Sequence, residues 1–228
     1  MAWPGSCARI DLRARVEKDD AVSLRTSAPA PLVVHGRRIV LRTLTEADYE
    51  AWNEVRHRCR DWLVKWEPRP AGAPYAPEDR RNFANRCAVR ERERQMGVGY
   101  SFGIFLGPRF IGEVSLSAVQ RGPMQSAFIG YWIDEAAAGH GYTPEAVVAL
   151  LQYCFETLML HRIEINIIPR NQASLRVVQK IGLRHEGVAL RYLEIDGVWE
   201  DHSHFAITAE EWAVRAPELV ADWLLPRD

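Results

Sequence analysis

The sequence predicts a mixed α/β (α+β) fold in which a run of antiparallel strands precedes one crossover helix. Apolar residues alternate with period two over residues 100–106, 110–119 and 127–133, which is typical of three successive strands. The spacing becomes helical over residues 147–160. Alternation returns over residues 163–167, so this helix is expected to connect two strands of the sheet.

Size and composition bound the possible functions. The chain has 228 residues, which suits one domain with extensions, and its 47% apolar and 26% charged content is ordinary for a globular protein. The formal net charge of −1 gives no overall field that would recruit nucleic acid or a membrane. No C-x-x-C pair occurs, which favours the reducing cytoplasm over a disulfide framework; the cysteines are Cys7, Cys59, Cys87 and Cys154.

The composition divides the chain into three parts. Residues 1–34 mix charges of both signs and end near an Ala-Pro-Ala-Pro stretch, so we expect a flexible N-terminal extension with a stiff end. Residues 35–208 carry the strand and helix patterns and are predicted to form the domain. Residues 209–228 predict a C-terminal helix that packs on this domain, because apolar residues recur there at helical spacing.

The first half of the domain begins with a predicted strand at residues 39–44. Thr45 is expected to cap the next helix, because a hydroxyl at the N-cap and acidic residues in the first turn stabilise a helix start. Four prolines within residues 68–77 predict a loop, and a highly charged helix is expected over residues 78–95.

The second half contains two further helices and a hairpin. A short helix is predicted over residues 171–181, because Gly182 suits a helix end. Asp196-Gly197 is a hairpin-turn dipeptide and predicts a strand on either side of it. Residues 209–225 predict the last helix. With the strands above, the sheet is expected to have six to seven strands.

The stretch from Ala138 to Glu145 predicts an anion site. It follows a predicted strand, contains Gly139 and Gly141, and opens the crossover helix. Free N–H groups point outward at a helix N-terminus, and the helix dipole favours negative charge there. The stretch lacks the third glycine of a dinucleotide fingerprint, and the chain contains no G-x-x-x-x-G-K-[ST] motif. We therefore expect a ligand that carries phosphate at this turn.

Three ordered segments resemble the GNAT acyl-CoA N-acyltransferases and, within them, the RimJ/RimL group. In the family's loop pattern, Q/R-x-x-G-x-G/A, Gly141 matches the central glycine, whereas Ala138 and Thr143 depart from the first and last positions. Residues 160–183 resemble a second block, which has an Asn-x-x-Ser helix start and a K-x-G-F ending. Residues 192–202, YLEIDGVWEDH, resemble the RimJ hairpin most closely.

The resemblance implies a GNAT fold, in which helices flank a mostly antiparallel twisted sheet and an acyl-CoA cleft lies between two splayed central strands. It implies acetyl-CoA as the co-substrate, with the pantetheine arm along the backbone of Trp132 and Ile133 and close to Asn171. The pyrophosphate would lie on the glycine loop, which comprises Ala138, Gly139, His140, Gly141, Tyr142 and Thr143.

The resemblance also implies direct attack of a primary amine on the thioester within a ternary complex. An acid can protonate the leaving thiolate. Many members use a tyrosine at the position of Val178, which this chain lacks. The serine of Asn-x-x-Ser, Ser174, is the candidate acid by resemblance to RimL, and helix-start hydrogen bonding is its structural alternative.

A base must also take a proton from the acceptor ammonium. The family's glutamate falls at Arg191, so this chain departs from the pattern there. Glu113 and Glu164 are the main base candidates, and Glu194 is a third. A solvated or salt-bridged strand carboxylate is the structural alternative for the first two.

The resulting prediction is a cytoplasmic N-acetyltransferase of the RimJ/RimL type whose acceptor is the N-terminal α-amine of a protein, such as a ribosomal protein. One alternative is acetylation of a small amine, such as an aminoglycoside, a polyamine or an amino acid. Another is a non-catalytic acyl-CoA-binding regulator. No metal, membrane or specific nucleic-acid partner is expected, and the chain is expected to be a monomer or homodimer. His202 and His204 are expected to be strand histidines rather than metal ligands.

Overall fold

The computed structural model describes residues 32–69 and 79–226, which form one mixed sheet with helices on both faces. The sheet has eight strands: β1 Val33–His35, β2 Val40–Arg42, β3 Tyr100–Leu106, β4 Arg109–Gln120, β5 Ser126–Ile133, β6 Arg162–Ile167, β7 Arg184–Ile195 and β8 Val198–Thr208. The α-helices of these ranges are α1 Tyr49–Arg58, α2 Arg60–Leu63, α3 Arg80–Met96, α4 Tyr142–Gln152, α5 Gln172–Lys180 and α6 Ala209–Trp223.

The strand order is β1-β2-β3-β4-β5-β6-β8-β7, and every neighbouring pair is antiparallel except β5 and β6. The GNAT fold that the resemblance implies is confirmed, with more strands than the expected six to seven. The additional strand, β1, lies partly within residues 1–34, which the sequence assigned to an extension. The apolar run at β1 covers only residues 32–34, directly after the proline-rich stretch, whereas the strand pattern around β2 extends over residues 39–44. Residues 1–31 lie outside the described ranges.

The two central strands separate along their length. Pairing between β5 and β6 is confined to residues 126–128 and 162–164. Beyond this point β5 remains paired with β4, and β6 remains paired with β8. The backbone edges of β5 and β6 that face each other therefore open into a wedge, which is the predicted splay.

The pleat of the sheet assigns side chains to two sides of this wedge. Successive side chains of a strand point to opposite faces. Tyr131 and Ile133 pack against the larger apolar core, to which α4, α5 and α6 contribute. Trp132 packs against a smaller core formed mainly by α1, α2 and α3. We call these the α4 face and the α3 face.

The helices on the α3 face start and end near the predicted positions. Thr45 caps a short 3-10 turn, Glu46–Asp48, that leads into α1, and its N–H donates to the Asp48 carboxylate at 2.8 Å. The short helix α2 was not predicted. Asp79 caps α3 by accepting from the Asn82 N–H at 2.7 Å. The predicted proline loop lies mostly in residues 70–78, outside the described ranges. No helix within those ranges has the length and apolar character needed to cross a membrane.

Candidate active site at the split in the sheet

A cavity of about 560 Å³ lies at the wedge between β5 and β6 and continues to both faces of the sheet. The start of α4 and the first two turns of α5 border it on the α4 face. Short helical turns around Trp62 and Trp66 border it on the α3 face. Of the predicted site residues, those lining it are Glu113, Trp132, Ile133, Ala138, Gly139, Gly141, Tyr142, Thr143, Asn171 and Ser174.

The glycine loop forms one end of this cavity. Gly139 and Gly141 have φ of +83° and +84°, in the left-handed region where a side chain is strained. Helix α4 begins immediately afterwards, so the N–H groups of its first turn have no partner within the helix. His140 does not line the cavity; its imidazole Nδ1 lies 3.0 Å from the Ala138 carbonyl. The loop therefore has the backbone geometry of an anion site.

Two buried carboxylates hold this loop in place. Asp134, just before the loop, receives hydrogen bonds from Arg58 at 2.8 Å and Arg109 at 2.8 Å. Burial opposes ionisation of Asp134, but these donors and the Ala136 N–H hold its pKa well below the usual range. Glu145, in the first turn of α4, is wholly buried and pairs with Arg38.

The backbone edge of the wedge is available for an extended ligand. Residues 129–133 of β5 pair with β4 on one side and have no strand partner on the β6 side. Asn171 lies across the cavity, where its side-chain oxygen accepts from the Ser174 N–H at 3.2 Å. On α5, Arg176 and Lys180 also line the cavity and place positive charge at its α4-face end.

Tyr131 and Ser174 form a pair of hydroxyl groups on the α4 face of the wedge. The Tyr131 hydroxyl lies 2.9 Å from Ser174 Oγ, and burial raises the pKa of the Tyr131 phenol well above its ordinary value. Val178, where many family members have their tyrosine, is completely buried. The sequence reasoning missed Tyr131, although alternation with Trp132 placed its side chain on this face.

Glu113 lies on the other side of the wedge, opposite Trp132 in the β4–β5 ladder. Its carboxylate receives hydrogen bonds from Trp52 Nε1 at 2.6 Å, from Arg86 Nη1 at 3.3 Å and from Arg90 Nη1. Burial alone would raise the pKa of Glu113, but the two guanidinium groups and the indole lower it overall. Glu113 is therefore a buried, ionised and fully engaged carboxylate.

The other two carboxylate candidates do not line the cavity. Glu164 lies where β5 and β6 are still paired, and it accepts from Arg162 Nε at 2.9 Å. Glu194 lies at the far end of β7, where its carbonyl accepts from the Arg69 N–H at 3.3 Å. The predicted carboxylates are thus separated, and only Glu113 borders the cavity.

His202 borders the cavity on the α3 face, which the sequence reasoning did not anticipate. Asn166 pairs with His204 in the β6–β8 ladder, so their side chains point to the same face. His202 lies two residues before His204 in β8 and therefore shares this face. Its Nδ1 lies 3.1 Å from the Glu200 carbonyl. No cluster of three or more His, Cys, Asp or Glu side chains suited to a metal occurs within residues 32–69 and 79–226.

Comparisons with known proteins agree with this geometry. A family model described as an acetyltransferase (GNAT) domain matches residues 38–184. The probable N-acetyltransferase YjcK of Bacillus subtilis is 38% identical over 77% of this chain and 96% of its own length. The [ribosomal protein uS5]-alanine N-acetyltransferase of Escherichia coli is 31% identical over 77% of this chain and 90% of its own length.

A solved structure supports the same assignment. Mycobacterium smegmatis RimJ in complex with CoA-disulfide superimposes with a TM-score of 0.77 and 32% sequence identity. The match covers 84% of this chain and 93% of that one. Both the sheet and its flanking helices are therefore shared with a protein that binds a form of coenzyme A.

Proposed function

The chain belongs to the GNAT acetyltransferase family, and on that premise we propose that it transfers the acetyl group of acetyl-CoA to the N-terminal α-amine of a protein, specifically a ribosomal protein. The observation that carries the proposal is a cavity that passes through the sheet, with an anion site on one face and, on the other, an aromatic opening whose carboxylates are paired with arginines. Direct transfer in a ternary complex is the mechanism proposed.

The α4 face has the features that acetyl-CoA requires. The glycine loop supplies N–H donors for the pyrophosphate, and Arg176 and Lys180 add positive charge for further phosphate oxygens. The unpaired edge of β5 near Trp132 and Ile133 can accept the pantetheine amides as an added strand would. The departures at Ala138 and Thr143 are compatible with this role, because the anion site is built from backbone groups.

The hydroxyl pair on the same face fits protonation of the leaving sulfur. Ser174 is close enough to Tyr131 for one hydroxyl to donate to the other. Because burial keeps the Tyr131 phenol protonated, the pair has a proton to give at neutral pH. We propose Ser174 as the donor to the thiolate, with Tyr131 as the residue that orients and resupplies it.

The charges around the opening on the α3 face argue for a peptide rather than a polycation. Two carboxylates line the cavity among the described residues, Glu67 and Glu113. Both are neutralised, Glu67 by Arg56 and Glu113 by Arg86 and Arg90. A polyamine or an aminoglycoside needs several free carboxylates, whereas a peptide N-terminus brings one ammonium group and an extended backbone. The small-amine alternative is therefore less well supported.

The relatives support the same class of acceptor. The Escherichia coli relative is named for the alanine of ribosomal protein uS5, and the superimposable Mycobacterium smegmatis protein is a RimJ. An acceptor of this kind would be modified in the cytoplasm, in agreement with the cysteine usage. We extend the ribosomal acceptor to this chain as part of the proposal.

The test is acetyl transfer by the full chain to a panel of acceptors. The panel contains peptides copied from ribosomal-protein N-termini, the same peptides with a blocked α-amine, and a polyamine and an aminoglycoside. We expect thiol release and a mass increase of one acetyl group with the free peptides, and neither with the blocked ones. Turnover confined to the small amines would overturn the proposed acceptor, and absence of turnover despite acetyl-CoA binding would overturn the transfer itself.

A further inference from the structure

We propose that His202 Nε2 accepts the proton that the acceptor ammonium must lose, a role that sequence reasoning gave to a carboxylate. This inference rests on the proposed function, because it concerns the same acetyl transfer. It is carried by the position of His202 on the cavity wall and by the hydrogen bond of its other ring nitrogen.

The hydrogen bond to the main chain fixes the tautomer. The Glu200 carbonyl can only accept a hydrogen bond, so the Nδ1 that lies 3.1 Å away carries the hydrogen. In the neutral ring, Nε2 then has the free lone pair. A side chain that is 4% exposed is also held firmly in this orientation.

The surroundings keep the ring neutral. Burial is the largest influence and lowers the pKa of His202 below its ordinary value of 6.5, and His204 lowers it further. The Glu200 carbonyl and the charges of Glu200 and Asp201 act in the opposite direction, but Arg170 neutralises Glu200 through two hydrogen bonds. From β7, the Tyr192 ring packs 5.4 Å from the His202 ring.

The groups beside His202 fit an ammonium. Asn166 Oδ1 and His204 Nε2 are buried without a hydrogen-bond partner in the described part of the chain. The Tyr192 ring lies 4.8 Å from the His204 ring. An amide side chain beside a neutral imidazole on the cavity wall favours a cation, and Asn166 and His202 both line the cavity.

The carboxylate candidates are poorer proton acceptors. Three donors already engage Glu113, and their hydrogen bonds lower its pKa. Glu164 is held by Arg162 at the closed end of the wedge. His202 has a lone pair on Nε2 that no cation occupies among the contacts of the described residues.

The proton balance is complete with groups that the chain supplies. The ammonium must lose two protons as the C–N bond forms and the C–S bond breaks. One passes to His202 Nε2 and from there to solvent. The Ser174 and Tyr131 hydroxyls give one proton to the departing sulfur, and the second proton from the ammonium restores these hydroxyls. No oxidant, metal or second co-substrate is needed.

The test compares His202→Asn with wild type, because the asparagine amide can keep the hydrogen bond to Glu200. We expect kcat/KM for a peptide acceptor to fall about 100-fold near neutral pH, the usual size of a base contribution, while the Kd of acetyl-CoA stays within about twofold. In the wild type, kcat/KM should fall at acidic pH because His202 becomes protonated. In His202→Asn, kcat/KM should instead fall below about pH 8, where the α-amine of the acceptor becomes protonated. The difference in kcat/KM between wild type and His202→Asn should therefore become smaller near pH 9, where the α-amine is already deprotonated.

A matched control is His185→Asn, which removes an exposed imidazole that packs on Phe205 outside the cavity. It should leave both the rate and the pH profile unchanged. If kcat/KM of His202→Asn kept the wild-type dependence on acidic pH, or fell by the same factor at every pH, His202 would have a structural role only. Failure of the wild type to acetylate any amine would instead refute the proposed function, so the two failures are distinguishable.

Discussion

Arg38 and Glu145 join the edge of the sheet to the start of α4 through an ion pair of 2.7 Å between Nη2 and Oε2. The same carboxylate accepts the Ile39 N–H at 3.2 Å, and Arg38 Nη1 donates to the His140 carbonyl at 3.1 Å. The pair thus ties the residues just before β2 to the glycine loop and to the start of α4. A carboxylate near a helix N-terminus is also favoured by the helix dipole.

Glu145→Gln should therefore destabilise the domain and loosen the loop together. Breaking a fully buried ion pair costs about 3–5 kcal/mol; we expect about 2–4 kcal/mol here, because Arg38 is partly exposed and water can solvate it. Urea unfolding measures this change, and the Kd of acetyl-CoA should rise in parallel. Glu91→Gln, which breaks a surface pair with Arg94 on α3, is the control and should change stability by no more than about 0.5 kcal/mol.

Gly141→Ala should weaken acetyl-CoA binding more than it weakens the fold. A Cβ at Gly141 would lie 3.4 Å from Arg38 Nη2 and would be strained at a φ of +84°, so the loop must move away from its anion-binding geometry. Losing one hydrogen bond to a charged group costs about 1.5–3 kcal/mol, which corresponds to a Kd increase of tenfold or more.

Gly122→Ala gives the matched control for that substitution. Gly122 has a φ of +69° in a turn without close neighbours, so it carries the same kind of backbone strain far from the cavity. Calorimetry should show similar losses of thermal stability in both variants, with a change in acetyl-CoA affinity only for Gly141→Ala. Equal affinities in the two variants would contradict the phosphate role of the loop.

The sequence predicted the parts of this protein that depend on local pattern. Period-two alternation located the strands β3, β4 and β5, and the two glycines located the loop before α4. The wedge between β5 and β6 followed from the family resemblance. Strand β1 was not predicted because its apolar run covers only residues 32–34, directly after a proline-rich stretch.

The parts that escaped prediction depend on contacts between distant positions. The residues around Arg86 and Arg90 in the sequence do not indicate that these side chains pair with Glu113, which lies on a strand packed against their helix. The pairing of Tyr131 with Ser174 depends on how α5 packs over β5. His202 has the sequence pattern of an ordinary strand histidine, and only the position of β8 beside β6 brings it to the cavity wall. Register and packing decide these contacts, and neither can be read from spacing alone.

Glu113→Gln should reduce stability most strongly near neutral pH. The pKa of Glu113 is lowered on folding, so its charge stabilises the domain fully above the ordinary value of 4.5. This stabilisation is lost as the pH falls through the lower folded-state pKa. The variant leaves Arg86 and Arg90 without their anion, and its stability should respond less to acid than that of the wild type.

Urea unfolding at several pH values measures that difference. The gap between wild type and Glu113→Gln should be about 3 kcal/mol at neutral pH, as for removal of one partner from a buried ion pair, and should shrink towards acid. Trp52→Phe removes one neutral donor to this carboxylate and leaves both guanidinium groups in place, so it should lower stability while keeping most of the wild-type pH response. A gap that is independent of pH would mean that Glu113 is already protonated in the folded protein.

Ser174→Ala and Tyr131→Phe test the hydroxyl pair on the α4 face. Each removes one member of a contact of 2.9 Å and should lower kcat about tenfold to 100-fold, while the Kd of acetyl-CoA changes little. Because the two hydroxyls act as one unit, the double variant should be no slower than the slower single variant. Ser117→Ala, at an exposed position on β4, should turn over at the wild-type rate. Additive losses in the double variant would show that Tyr131 and Ser174 contribute separately, and Ser174→Ala turning over at the wild-type rate would remove this serine from the reaction.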